Sequence, residues 1–198
     1  MAKWTVFAVV LITFLVPFAG RADLDDSVLS LTSPYKKVVR KYTQERSHYS
    51  ISDLNVSFKW FATYHSPTFL AAADSLLKKL YPEGLTPYVS QEKSEMDPER
   101  QTEFFLGLFA IEPGLRAVVS DKNLWDINLK VGGKIYEAAT VEEVNLNPLY
   151  TTLYPYLNRW YEGYRVVFPT NVLVSGQDEM ELILSSVRGT SRMEFKIR

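Results

Sequence analysis

Leu54-Asn55-Val56-Ser57-Phe58-Lys59-Trp60-Phe61-Ala62-Thr63-Tyr64 is the stretch on which the fold turns. Leu54, Val56, Phe58, Trp60, Ala62 and Tyr64 alternate with Asn55, Ser57, Lys59 and Thr63, which predicts a strand with one buried face. Only Phe61 breaks the polar side. Asn55-Val56-Ser57 matches the glycosylation triplet, but a glycan is awkward inside a strand. Ser66-Pro67 then ends the strand and opens a helix, with Ser66 as N-cap and Pro67 at the first position. Phe69, Ala73, Leu76, Leu77 and Leu80 recur at helical spacing, so one amphipathic helix is expected over 67–81, closed by Pro82-Glu83-Gly84.

Downstream, residues 85–101 are polar and turn-rich and read as a surface loop. Thr102–Ile111 is apolar on both faces, as suits a central strand covered on both sides. Trp125, Ile127, Leu129 and Val131 alternate with Asp126, Asn128 and Lys130. Gly132-Gly133 then permits the positive φ angles of a tight hairpin into Lys134-Ile135-Tyr136. Residues 141–160 look like a long connection with a short helical turn. Tyr164–Phe168, Glu181–Leu184 and Met193–Ile197 complete about seven strands. Turn signals between them predict a mainly β, two-layer sandwich of immunoglobulin-like type with one inserted helix.

Upstream, residues 36–46 hold Lys36, Lys37, Arg40, Lys41 and Arg46 against Glu45 alone, on a thin apolar face of Val38, Val39 and Tyr42. This segment reads as a solvated helix, with Ser33-Pro34 at its start, or as an edge strand, with a membrane-facing or partner-facing helix as the alternative. Residues 1–22 have the layout of a secretory signal: Lys3, an apolar run from Trp4 to Phe18, then Gly20 and Ala22 at positions −3 and −1. The run is shorter than the ~20 residues of a spanning helix, so cleavage after Ala22 is expected, with an uncleaved anchor as the alternative. The domain plan is therefore a signal peptide at 1–22, an N-terminal segment at 23–50 and a sandwich domain at 51–198. After cleavage no membrane span is expected, and the mature chain is exported, periplasmic or secreted.

Three motifs resemble a group of exported bacterial proteins with an immunoglobulin-like sandwich and no established activity. They are Phe61-Ala62-Thr63-Tyr64-His65-Ser66, Leu129-Lys130-Val131-Gly132-Gly133-Lys134-Ile135-Tyr136, and Tyr154-Pro155-Tyr156-Leu157-Asn158-Arg159-Trp160 leading to Tyr164-Arg165-Val166-Val167-Phe168-Pro169. The resemblance implies a fold and a location, and no catalysis.

Composition narrows the chemistry further. Without Lys3 and Arg21 the balance is 20 basic against 23 acidic side chains, which points away from nucleic acid and from wholesale binding to anionic membranes. There is no cysteine, so neither a disulfide framework nor a lipid-modified cysteine is available. His48 and His65 are the only histidines and sit in no ligand-spaced cluster; His65 reads as a strand-end polar residue. The phosphate-binding glycine motifs and Gly-x-Ser-x-Gly are absent. Glu142-Glu143, Asp178-Glu179 with Glu181, and Glu92 with Glu95 are acidic pairs that surface charge explains, and a calcium pattern is missing. No catalytic residue, metal or cofactor is expected.

The aromatic stretch Tyr150, Tyr154, Tyr156, Trp160, Tyr161 and Tyr164 has two readings. Its rings either close one end of the sandwich, with a hydroxyl bonding backbone as in a tyrosine corner, or present Tyr150, Tyr154, Tyr156, Trp160 and Tyr161 to a ligand or partner. The expected function is a non-enzymatic binding or assembly role at the cell envelope, on an envelope protein or a glycan. A carbohydrate-binding module using residues 150–164 is the first alternative, and a hydrolase with an unrecognised carboxylate pair the second.

Overall fold

Alternation decides which side of each strand is buried, and the computed structural model follows it through residues 33–50, 55–81, 101–119, 124–170 and 177–197. The predicted signal peptide, the loop predicted at 85–101 apart from Gln101, and the pair Glu92 and Glu95 lie outside these described residues. Helix α1 (Ser33–Tyr42) runs directly into strand β1 (Thr43–Ser50), which pairs with β2 (Asn55–Tyr64). Helix α2 (Pro67–Leu80) follows, then β3 (Thr102–Ala110), a 3₁₀ turn (Pro113–Arg116), β4 (Trp125–Val131), β5 (Lys134–Glu137) and β6 (Thr140–Val144). Helix α3 (Pro148–Leu153), β7 (Glu162–Phe168), β8 (Glu179–Ser186) and β9 (Gly189–Lys196) complete the order.

The strands form two antiparallel sheets packed together, in a sandwich-like arrangement. One has the order β1-β2-β3-β7-β6, the other β5-β4-β8-β9. Their facing surfaces are the alternating apolar sets of the sequence: Phe58, Trp60, Ala62 and Tyr64 from β2, and Trp125, Ile127, Leu129 and Val131 from β4, all buried. Trp125 meets Trp60 and Phe58 edge-on across the interface, with ring centroids 5.0 and 5.1 Å apart, and Phe104 meets Phe195 at 5.1 Å. Edge-on contact suits the quadrupoles of aromatic rings. The Trp125 indole N–H donates to the Leu115 carbonyl at 2.9 Å, whereas Trp60 Nε1 is buried and finds no acceptor among the described residues.

A third layer covers the outer face of the five-stranded sheet. The His65 ring stacks on Phe69 of α2, Tyr35 of α1 lies against the same Phe69, and Tyr154, which follows α3, stacks on Phe105 of β3 at 3.9 Å. This layer explains why β3 is buried on both faces. It also explains Phe61, the residue that breaks the polar side of β2: it stacks on Tyr156 at 4.5 Å. The Tyr35 hydroxyl donates to the Leu153 carbonyl at 2.9 Å and ties α1 to α3.

Several expectations need correction. The described residues contain nine strands rather than about seven, and three α-helices rather than one. The segment 36–46 is neither all helix nor all strand; it changes from one to the other between Tyr42 and Thr43. Residues 141–160 are not mainly a connection, since β6 and α3 lie within or across them. Both missed strands, β1 and β6, are sheet edges, where pairing rests on backbone hydrogen bonds and the apolar alternation is weak. The helix expected at 67–81 is present at Pro67–Leu80, with Ser66 Oγ accepting from the Phe69 N–H at 3.0 Å. The hairpin at Gly132 and Gly133 is also present, with φ of 54° and 81°.

Candidate functional site

The turn between β2 and α2 sets the centre of the outer-face layer. The Ser66 cap halts β2, so His65 projects beneath the helix with its backbone N–H bonded to the Glu103 carbonyl at 3.0 Å. Its ring is bonded at both nitrogens: Nδ1 lies 2.9 Å from Glu103 Oε1, and Nε2 lies 2.7 Å from the Tyr154 hydroxyl. With a proton on Nδ1 the ring donates to Glu103, while the direction of the bond between Nε2 and the Tyr154 hydroxyl follows the protonation of the ring. Glu103 Oε2 in turn meets Arg165 Nε at 3.2 Å, and Arg165 meets Glu142 at 3.0 Å. The register places Arg165 opposite both Phe105 and Glu142, so β3, β7 and β6 deliver the chain from three adjacent strands.

The electrostatics follow from this order. Burial by itself would raise the Glu103 carboxyl, but the hydrogen bond and charge of His65, with Arg165 behind them, outweigh it and hold the carboxyl below its ordinary value. Tyr154 goes the other way. Its burial, with Tyr156, Tyr35, Glu103 and Tyr150 nearby, pushes its hydroxyl well above the ordinary tyrosine value. The sequence hydroxyl–imidazole–carboxylate has the hydrogen-bond order of a nucleophile–base–acid triad. A nucleophile must meet its substrate and lose its proton, however. Tyr154 is buried, stacked among Phe69, Phe105 and Tyr150, and its proton is held firmly. What the arrangement does chemically is lock the β2–α2 turn to β3 and to the segment after α3.

His65 follows the last residue of β2, at a strand end as expected, whereas its partner Glu103 and the Arg165 behind it are not foreseen from the sequence. The available signal was Glu103 itself, a lone charge inside the otherwise apolar Thr102–Ile111 run.

Of the five aromatic residues singled out as contact candidates, Tyr150, Tyr154 and Tyr156 are buried, Tyr161 is half-buried and Trp160 is 55% exposed. Tyr156 ends in a hydroxyl chain: 2.7 Å to Thr63 Oγ1, which lies 2.8 Å from Thr43 Oγ1. Tyr161 packs on Phe61 and Phe109. Trp160 stands apart on a turn where its N–H bonds to Asn158 Oδ1 at 2.9 Å, and the Arg159 guanidinium lies 4.6 Å from its ring centroid. Tyr164, the sixth aromatic of the stretch, faces the other sheet, and its hydroxyl donates to the Arg116 carbonyl at 2.6 Å.

The acidic pairs do not converge. Glu142 pairs with Arg165, and Glu181 pairs with Lys130 and Arg192 on the other sheet. Among the described residues no three His, Asp or Glu side chains are grouped so as to hold a metal, and no helix is long and apolar enough to cross a membrane. No protein-family model matches the chain, and no curated protein matches it in sequence.

Proposed function

We propose that this chain is an exported, non-enzymatic immunoglobulin-like domain that works by contact with a protein partner at the cell envelope. The strand order supports the fold type. An immunoglobulin sandwich joins strands A-B-E-D in one sheet and C-F-G, extended by C′, in the other. Assigning A to β2 and continuing in chain order gives β2-β3-β7-β6 and β5-β4-β8-β9, with β1 as an added edge. Trp125, buried on the strand assigned to C, occupies the place of the tryptophan of that fold. Export rests on the charge and apolar layout of residues 1–22.

The observation that carries the contact role is one end of the molecule. Tyr49, Ile111 and Val187 are 64%, 48% and 86% exposed there. The Ile111 N–H bonds to Ser57 O beside the β1–β2 connection, and Glu112 pairs with Arg188 of the β8–β9 turn at 2.9 Å. Under the strand assignment Ile111 lies in the B–C connection and Val187 in the F–G connection, which carry binding in variable domains, with Tyr49 of the added edge beside them. Ile111 and Val187 beside a tyrosine, rimmed by an ion pair, suit a protein surface, where aliphatic contact and tyrosine both contribute. The carbohydrate alternative keeps Trp160 as its one exposed ring, and Arg159 already stacks on it. For the hydrolase alternative, the carboxylates Glu103 and Glu142 are bridged by Arg165.

The test is site-specific photocrosslinking from position 187 in the native envelope. One discrete protein adduct is expected, lost in Ile111→Asp and kept in Ile135→Asp, which alters an equally apolar, exposed residue on β5. An adduct pattern indifferent to Ile111→Asp sinks the assignment.

A further inference from the structure

Helix α1 carries a face that the fold leaves unused. Tyr35, Val39 and Tyr42 are buried, while Lys37, Arg40 and Lys41 lie on the opposite, exposed side at i, i+3 and i+4. The helix contains no acid, and among the described residues none of these three cations makes an ion pair. Lys41 Nζ lies over the Tyr42 ring, 5.0 Å from its centroid. In a chain of net charge −1 this is a local positive field that no ion pair among the described residues compensates.

The sequence ahead of the helix indicates what would meet that field. The apolar run ends at Phe18, and residues 19–32 separate it from Ser33. Such a connection reaches at most about 50 Å when extended. Before cleavage after Ala22, and in the uncleaved alternative, a chain delivered to a bilayer through that run brings α1 within reach of the headgroups.

We propose that the Lys37–Arg40–Lys41 face docks on the surface of an anionic phospholipid bilayer. The apolar side of α1 is committed to the protein interior, so the contact is with headgroups alone and no side chain inserts. It is therefore reversible and salt-sensitive, unlike that of an interfacial amphipathic helix. Three cations, at the usual worth of a basic residue near such a surface, give a preference on the order of 10²-fold over a neutral bilayer.

The experiment measures partition of the full chain onto phosphatidylcholine vesicles, with and without about one-third phosphatidylglycerol, at low salt. Neutral vesicles report what the apolar run does without headgroup charge, and Lys3 and Arg21 beside the run are the same in every variant, so differences between variants report α1. The expected result is a preference for phosphatidylglycerol on the order of 10²-fold, abolished by high salt. The preference is lost in Lys37→Glu/Arg40→Glu/Lys41→Glu. It is largely kept in Lys134→Glu/Lys196→Glu, which reverses exposed cations on the four-stranded sheet. Circular dichroism checks that each variant is folded. An equal preference in the triple variant, or none in the wild type, overturns the proposal; the latter would leave an acidic protein as the partner of this face.

Discussion

Glu103 is a charge placed where a strand reads as apolar, and its neighbours decide what that costs. A buried carboxylate without partners is expensive; here both oxygens are taken, one by His65 and one by Arg165. Its carboxyl sits below its ordinary value in the folded chain. A depressed folded pKa means that the stabilisation is present above the unfolded value of about 4.3 and is lost as pH falls through the folded one. Glu103→Gln is expected to cost about 1–3 kcal/mol at neutral pH, because the charge-assisted bonds are weakened. It should also flatten the fall in melting temperature below about pH 4.3. Melting curves for the two proteins that stay parallel down the acid limb would contradict this. Almost nothing about the residue's role was legible beforehand, because His65, Glu103, Tyr154 and Arg165 come together only when four separate segments meet.

At the scale of elements, the third layer depends on a shallow floor. Gly107 of β3 and Gly163 of β7 lie directly opposite each other in the register, on the outer face. A Cβ on Gly163 would come within 2.6 Å of Leu146 Cδ2 and 3.0 Å of Phe105 Cζ; one on Gly107 would come within 2.7 Å of Leu157 Cδ2. The missing side chains let the segment around α3 pack down onto the sheet. Leu146 can turn aside, but Phe105 is held by its stack on Tyr154. Gly163→Ala is therefore expected to destabilise the fold by about 1–3 kcal/mol through overpacking. A denaturant midpoint equal to the wild type would show that the layer has slack. Where an element announces itself locally, the sequence reading succeeded: α2 through its Ser-Pro cap and helical spacing, β4–β5 through alternation and two glycines. Where an element is defined by what it pairs with, the reading failed. Thr43–Ser50 and Thr140–Val144 have weak apolar alternation, and the sheet recruits them as edges.

Across the whole molecule the tyrosines act together. Burial raises the hydroxyls of Tyr35, Tyr154, Tyr156 and Tyr164 far above their ordinary value, and those of Tyr64 and Tyr161 to about 12. A raised folded pKa means that stability is fully present below the unfolded value of about 10 and declines as pH rises beyond it, by about 1.4 kcal/mol per pH unit for each such tyrosine. Unfolding in alkali is therefore expected between about pH 10 and 12, with tyrosinate absorbance and loss of near-ultraviolet circular dichroism appearing together. Gradual ionisation of these tyrosines in a still-folded chain would refute it. The sequence by itself determined the interior of the sandwich, because strand alternation is a local period that sends every second side chain to the same face whatever lies opposite. It also determined the absence of disulfides and the apolar, signal-like start. Only the tertiary structure decided that the outer face of one sheet is covered, that Tyr150, Tyr154 and Tyr156 turn inward while Trp160 stays exposed, and that His65 is bonded at both nitrogens. Those outcomes depend on contacts between segments far apart in the chain, and no local period records which of them meet.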